Sequence, residues 1–354
     1  MKEGYILQNE QELTNKFEAK GIFFVFLGIF ARILMLIYYY YTHIIDPGRD
    51  WGDCGNYFQG NLTSPPLSII FLDIFRFLSF GTIMIFVFWC FIWDLIVCLV
   101  FYYVLKSFHI KNRKYAYGLF LINPFFFLNN SFSLINCGYH ITDAFFLFFL
   151  LMAFIYIPKK EKYAKYLFYL FLGLSICVKY YSLPAIGLLF IKALYEKNWI
   201  EIKLIFMIVV PLFLVFLLIP FFCFPSFSYA FNRYPTISYW PQIPLYIKVI
   251  PSAILILIFI KFKFKKSEPL EISIISILSV ALLLFFLFPY IRWFQVVIFY
   301  GILKEKDYFT FELKLGLIKK KVLINNHLLI FYLSFIGVLF SSILAILIFK
   351  NQLI

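Results

Sequence analysis

Residues 46–67 read DPGRDWGDCGNYFQGNLTSPPL, the most polar stretch between the first two strongly apolar segments of the chain. Asp46, Asp50 and Asp53 sit there beside Arg49, followed by Tyr57 and the Pro65-Pro66 pair. Almost everything on either side is built to dissolve in lipid. Hydrophobic residues make up 63% of the chain and the mean hydropathy is +0.89. A soluble domain is nearer half apolar and covers its surface with the remainder. This composition excludes a soluble enzyme and points to an integral membrane protein, with residues 46–67 as a surface loop.

The net charge of +14 would invite a nucleic-acid reading in a soluble chain. Here the lysines lie in short loops between apolar runs, which is the positive-inside pattern of membrane proteins, so no nucleic-acid partner is expected. The first twenty residues are polar and charged, and the apolar run after them is long enough to span, so no cleavable signal peptide is expected.

Outward from residues 46–67, the chain reads as an all-α polytopic membrane protein of about eleven spans with a cytoplasmic N-terminus. A polar leader, 1–20, precedes a single transmembrane domain, 21–354. The expected spans are 21–41, 82–105, 115–128, 144–157, 166–178, 183–194, 204–222, 245–260, 272–288, 293–303 and 328–349. Outer loops fall at 42–81, 129–143 and 223–244. Cytoplasmic loops fall at 106–114, 158–165, 195–203, 261–271 and 304–325. Residues 67–80 are too short and too charged to span. Asp73 and Arg76 stand three apart, on one helical face, so this segment is expected to lie along the outer leaflet. Residues 166–178 and 183–194 are each short, but both flanks are basic, so the chain crosses an even number of times between them; two crossings put Lys179 near the outer side.

In this topology all but eight of the 32 Lys and Arg fall inside, the exceptions being Arg32, Arg49, Arg76, Lys179, Arg233, Lys248, Arg292 and Lys350. Charges that break the rule are the functional candidates. Asp50 and Asp53 are three apart and suit general-base work; a divalent metal is compatible with them, but no Asp-x-Asp pair requires one and no metal ligand set is assigned. The alternative is an ordinary solvated loop. Asp143 opens the fourth span, either as a helix-start residue or as part of the site. Lys179, Arg233 and Arg292 form a scattered cationic set on the same side; Arg is suited to bidentate phosphate contact and Lys supplies a point charge. Headgroup snorkelling is the plainer role for Lys179, and an interfacial belt for Arg292-Trp293. Arg32 and Asp94 lie within spans one and two and are expected to pair across them rather than relay protons. No Cys or His spacing fits a metal, and a disulfide among the outer Cys54, Cys137 and Cys223 is left open. Asn61-Leu62-Thr63 and Asn129-Asn130-Ser131 fit a glycosylation triplet, a weak signal.

The order of these motifs resembles the multi-pass, polyprenyl-phosphate-sugar-dependent glycosyltransferases of the membrane C-type fold, especially their mannosyltransferase branch. An acidic loop follows span one, with Asp53 and Tyr57 in an Asp-x-x-x-Tyr arrangement. Ser64-Pro65-Pro66-Leu67 is similar to the turn that starts the family's interfacial helix, with Ser where the family has Tyr. Asn123-Pro124 precedes Gly138 and Asp143-Ala144, with one extra residue in the gap. Gly173-Leu174, Lys179 and Pro184 follow, then Pro289-Tyr290-Ile291-Arg292 before a late span. The resemblance covers roughly residues 20 to 305.

The resemblance implies an inverting hexosyltransferase in a cell membrane, or in the endoplasmic reticulum of a eukaryote. It implies Asp53, with Asp50 in reserve, as base. It implies Arg292, with Lys179 or Arg233, at the lipid phosphate, and Asp143 and Tyr57 at the substrate. The implied partners are a polyprenyl-phosphate sugar (mannose at the family level), a lipid-linked glycan or other acceptor, and the bilayer; no cofactor is required. A transporter or lipid flippase, and a non-catalytic subunit of a glycosyltransferase complex, are the alternatives.

Overall fold

The computed structural model describes residues 19–34, 36–38, 40, 41, 57, 64–110, 112–122, 141–220, 244–287, 303, 308–315 and 318–325. The described part is mostly helical. In chain order it contains α1 (Ala19–Tyr38), α2 (Pro66–Leu78), α3 (Ile83–Ser107), α4 (Arg113–Ile122), α5 (Ile141–Tyr156) and α6 (Lys162–Val178). A 3-10 turn (Tyr180–Ser182) leads to α7 (Leu183–Tyr195), α8 (Trp199–Phe216), α9 (Leu245–Phe262) and α10 (Pro269–Leu287). Among the described residues, α1, α3 and α8 are long and apolar enough to cross a bilayer.

One departure from an all-helical chain is a hairpin of β1 (Tyr308–Leu315) and β2 (Ile318–Asn325). The strands are antiparallel, with Tyr308 opposite Asn325 and Leu315 opposite Ile318. The expected loop at 304–325 contains it. The sequence explains the difference: Phe309, Phe311, Leu313 and Leu315 alternate with Thr310, Glu312 and Lys314, a period-two pattern that the lysine content masks.

The helices alternate in direction and sort their connections to two ends. At one end Lys165 Nζ meets Glu201 Oε1 at 2.9 Å, joining the starts of α6 and α8. Lys192 at the end of α7 donates to the Ser267 carbonyl before α10. Lys265 lies 5.1 Å from the Tyr195 ring centroid. This is the basic end. At the other end the Tyr40 hydroxyl donates to the Met84 carbonyl at 2.5 Å, tying the chain after α1 to the start of α3. There α2 packs on the bundle: Leu72 and Phe75 are buried, while Ile70, Ile74 and Phe77 face outward, one turn apart.

Helix α1 packs parallel to α4 along a glycine seam. A methyl built on Gly118 would come 2.6 Å from Phe24 Cβ and 2.7 Å from the Gly21 carbonyl oxygen; one on Gly28 would come 2.4 Å from Leu121 Cβ. Small residues let two backbones approach where lipid supplies no hydrophobic drive between helices.

Two boundaries differ from the sequence reading in ways that matter. The expected loop 129–143 ends early, because α5 begins at Ile141 and Asp143 lies inside its first turn. An acidic residue there is favoured by the free N–H groups and positive end of the helix dipole. The expected seventh span is not uniform: α8 is π-helical at Ile205–Val209, and a second π-helical stretch, Leu214–Leu218, begins within α8 and runs past its end, with Pro211 between the two. Proline cannot donate to the helical ladder, so irregular winding beside it is the physical consequence.

Candidate functional site

At the end opposite the lysines, three elements bring polar side chains together. Helix α6 stops at Val178, and Lys179 takes an extended backbone (φ −152°) before the 3-10 turn. Pro184 then restarts a helix near its first position, where its missing N–H costs nothing. This break carries Lys179 to the first turn of α5, where it forms an ion pair with Asp143. Asp143 is fully buried and the Lys179 side chain is 15% exposed. Lys179 Nζ also lies 5.5 Å from the centroid of the Tyr181 ring. A carboxylate this buried needs its charge met nearby.

Helix α2 closes over this pair. Ser68 donates its hydroxyl to the Val178 carbonyl at 2.9 Å, capping the end of α6. Phe71 and Phe75 set their rings 5.0 Å and 5.6 Å from that of Phe145, two residues beyond Asp143. Ser175 donates to Leu172 O at 2.7 Å, and its hydroxyl is 2.9 Å from that of Ser182, so the break after α6 is braced internally.

Tyr57 docks on the outer side of α2. Its ring stacks on Phe86 at 5.7 Å, its hydroxyl donates to Asp73, and the Arg76 guanidinium sits 5.9 Å from its centroid. Burial, reinforced by the Asp73 carboxylate, pushes the Tyr57 phenol up to about 12. It is therefore a neutral donor committed to Asp73. Asp73 and Arg76, expected only as the polar face of an interfacial helix, hold Tyr57 in place. Their spacing of three was the signal.

A second polar pair lies deeper. Arg32 of α1 and Asp94 of α3 are 1% and 3% exposed, with Nε 3.8 Å from Oδ2. Arg32 Nη1 donates to the carbonyls of Gly28 at 3.0 Å and Leu121 at 2.5 Å, joining three helices. Asp94 Oδ1 has no hydrogen-bond partner among the described residues. The expected pairing across neighbouring helices is present.

Of the sequence-derived site residues, Asp143 and Lys179 meet directly, and Tyr57 sits at the same end of the bundle across α2. Asp50, Asp53, Arg233 and Arg292 lie outside the described residues, as do Cys54, Cys137, Cys223, Asn61 and Asn129. Cys90, Cys98 and Cys177 are buried. Among the described residues no group of three or more His, Cys, Asp or Glu could hold a metal ion. Comparison with protein-family models, curated proteins and solved structures finds no match to this chain.

Proposed function

We propose that this chain is a multi-pass membrane glycosyltransferase of about eleven spans, its N-terminus in the cytoplasm. It moves a hexose, mannose at the family level, from a polyprenyl phosphate to a lipid-linked glycan or other acceptor on the outer or lumenal side. The observation that carries this reading is the Asp143–Lys179 pair beneath α2. It is a charged site at the end of the bundle away from the lysine-rich turns, roofed by a helix whose Ile70, Ile74 and Phe77 face outward. Such a place brings a lipid-borne substrate and polar groups to the same depth.

The reaction is a single displacement. An acceptor hydroxyl oxygen attacks the anomeric carbon as the bond from that carbon to the phosphate oxygen breaks. Asp53, or Asp50, takes the hydroxyl proton. Arg292, with Lys179 or Arg233, stabilises the charge that develops on the departing lipid phosphate. The pairing of Lys179 with Asp143 refines its role. An approaching phosphate must share the ammonium with a carboxylate, so the arginines carry more of the phosphate binding and the pair fixes the position of Lys179.

The test is sugar transfer from a radiolabelled polyprenyl-phosphate mannose in membranes carrying the protein. Asp50→Asn/Asp53→Asn is expected to abolish transfer; transfer retained in the double variant rules out the proposed base. The buried Arg32–Asp94 pair favours a second reading, a transporter, because intramembrane charges mark ion and substrate paths. Solute flux in proteoliposomes without sugar transfer, lost in Asp94→Asn, would select it.

A further inference from the structure

We propose that the basic end carries a binding cleft for the phosphate headgroup of an anionic phospholipid, between the α3–α4 and α5–α6 turns. This site is separate from the proposed transfer site, at the opposite end of the bundle.

The cleft has a volume of about 620 Å³ and is lined by Ser107, His109, Pro158, Lys159, Lys160 and Glu161. Both walls are fixed by backbone hydrogen bonds. On the α3 side, His109 N–H donates to Lys106 O and Ile110 N–H to Leu105 O, each at 3.2 Å. This double cap holds His109 at φ 55°, a left-handed conformation that glycine usually fills at the end of a helix. On the α5 side, Ile157 N–H donates to Phe154 O at 3.2 Å and Lys159 N–H to Tyr156 O at 3.4 Å. Lys159 Nζ is held 4.7 Å from the centroid of the Tyr156 ring.

The lining sets two ammonium groups and an imidazole against one carboxylate, which is the chemistry of a phosphate site. A soluble phosphate and a lipid headgroup share that chemistry, and the adjoining surface favours the lipid. Ile96, Leu99 and Tyr103 are exposed along one face of α3, and that face runs into Ser107 at the cleft. Charge at one end and an exposed apolar row leading from it suit an amphiphile. Basic pockets between spanning helices on the positive side bind such headgroups.

The experiment titrates the full-length protein in mild detergent with fluorescent phosphatidylglycerol and, separately, phosphatidylcholine. Wild type is expected to prefer phosphatidylglycerol. Lys159→Gln/Lys160→Gln is expected to weaken that binding by roughly thirtyfold, the order expected for neutralising two lysines at an anionic surface. The control Lys203→Gln/Lys263→Gln removes the same charge from exposed positions at the same end and is expected to change it by less than about twofold. Equal losses in the two double variants would overturn the site in favour of general surface charge. Absence of a preference for phosphatidylglycerol would overturn it too. Displacement of the lipid by equimolar inorganic phosphate would make the ligand a soluble anion and overturn the lipid assignment.

Discussion

Ser68 and Val178 join the roof of the candidate site to its floor. The Ser68 hydroxyl, in the first turn of α2, donates at 2.9 Å to the Val178 carbonyl at the end of α6. Lys179, the next residue, pairs with Asp143. Ser68→Ala leaves a carbonyl of a helix end without its partner in a buried place. The expected cost is about 1–2 kcal/mol, read as a lower melting temperature in detergent; under the proposed function, sugar transfer falls with it.

Breaking the Asp143–Lys179 pair from either side strands a charge. Lys179→Met is expected to destabilise by about 3 kcal/mol, because the fully buried Asp143 loses its cation. Asp143→Asn/Lys179→Met removes both charges and should recover much of that loss. A double-mutant cycle on thermal unfolding checks this. Additive single losses would mean that the pair contributes no coupling.

Tyr57 gives a pH prediction with a definite sign. Its phenol is raised from 10.0 to about 12 by burial and by Asp73. A group whose folded value lies above its unfolded value contributes fully below the unfolded value and loses that contribution as pH rises toward the folded one. Tyr57→Phe should therefore cost about 1 kcal/mol, constant through neutral pH. The gap between wild type and variant should shrink only as pH climbs from 10 toward 12. Parallel denaturation series at neutral and alkaline pH measure it; a gap that changes around neutrality would contradict the assignment.

The glycine seam makes a steric prediction. Gly118→Ala would drive a methyl to 2.7 Å from the Gly21 carbonyl oxygen, so the backbones of α1 and α4 must separate. The expected loss is about 1–3 kcal/mol. Gly187→Ala is the control: among the described residues nothing lies within 4 Å of the added carbon, and a helical alanine is favoured over glycine by about 1 kcal/mol. Thermal stability should fall in the first variant and hold or rise in the second.

The sequence showed these elements unequally. Helix positions were legible wherever an apolar run met lysines or a proline, as at Leu183–Tyr195, because burial and turn chemistry act on adjacent residues. The Arg32–Asp94 pair was legible because each charge is costly alone within a strongly apolar segment. Three features were not. The hairpin at Tyr308–Leu315 and Ile318–Asn325 was hidden because its alternation is interleaved with lysines that read as a loop. The hydrogen bond from Ser68 to Val178 joins residues 110 apart, and serine occurs too widely for such a pairing to be read from spacing. The commitment of Lys179 to Asp143 was missed for the same reason: both were assigned to one side, but their contact depends on where α6 breaks relative to the first turn of α5.

The seam between α1 and α4 also sets an order of assembly. Arg32 and the Leu121 carbonyl that it reaches are 89 residues apart in the chain. Because α1 and α4 run parallel, they cannot form as a hairpin of consecutive segments; α3 must be laid down between them with the opposite sense. During synthesis Arg32 therefore emerges long before α4 exists to receive it. Until then Asp94 is the partner that arrives first, so the ion pair can shelter the arginine while the ribosome is still making the helix that completes its coordination.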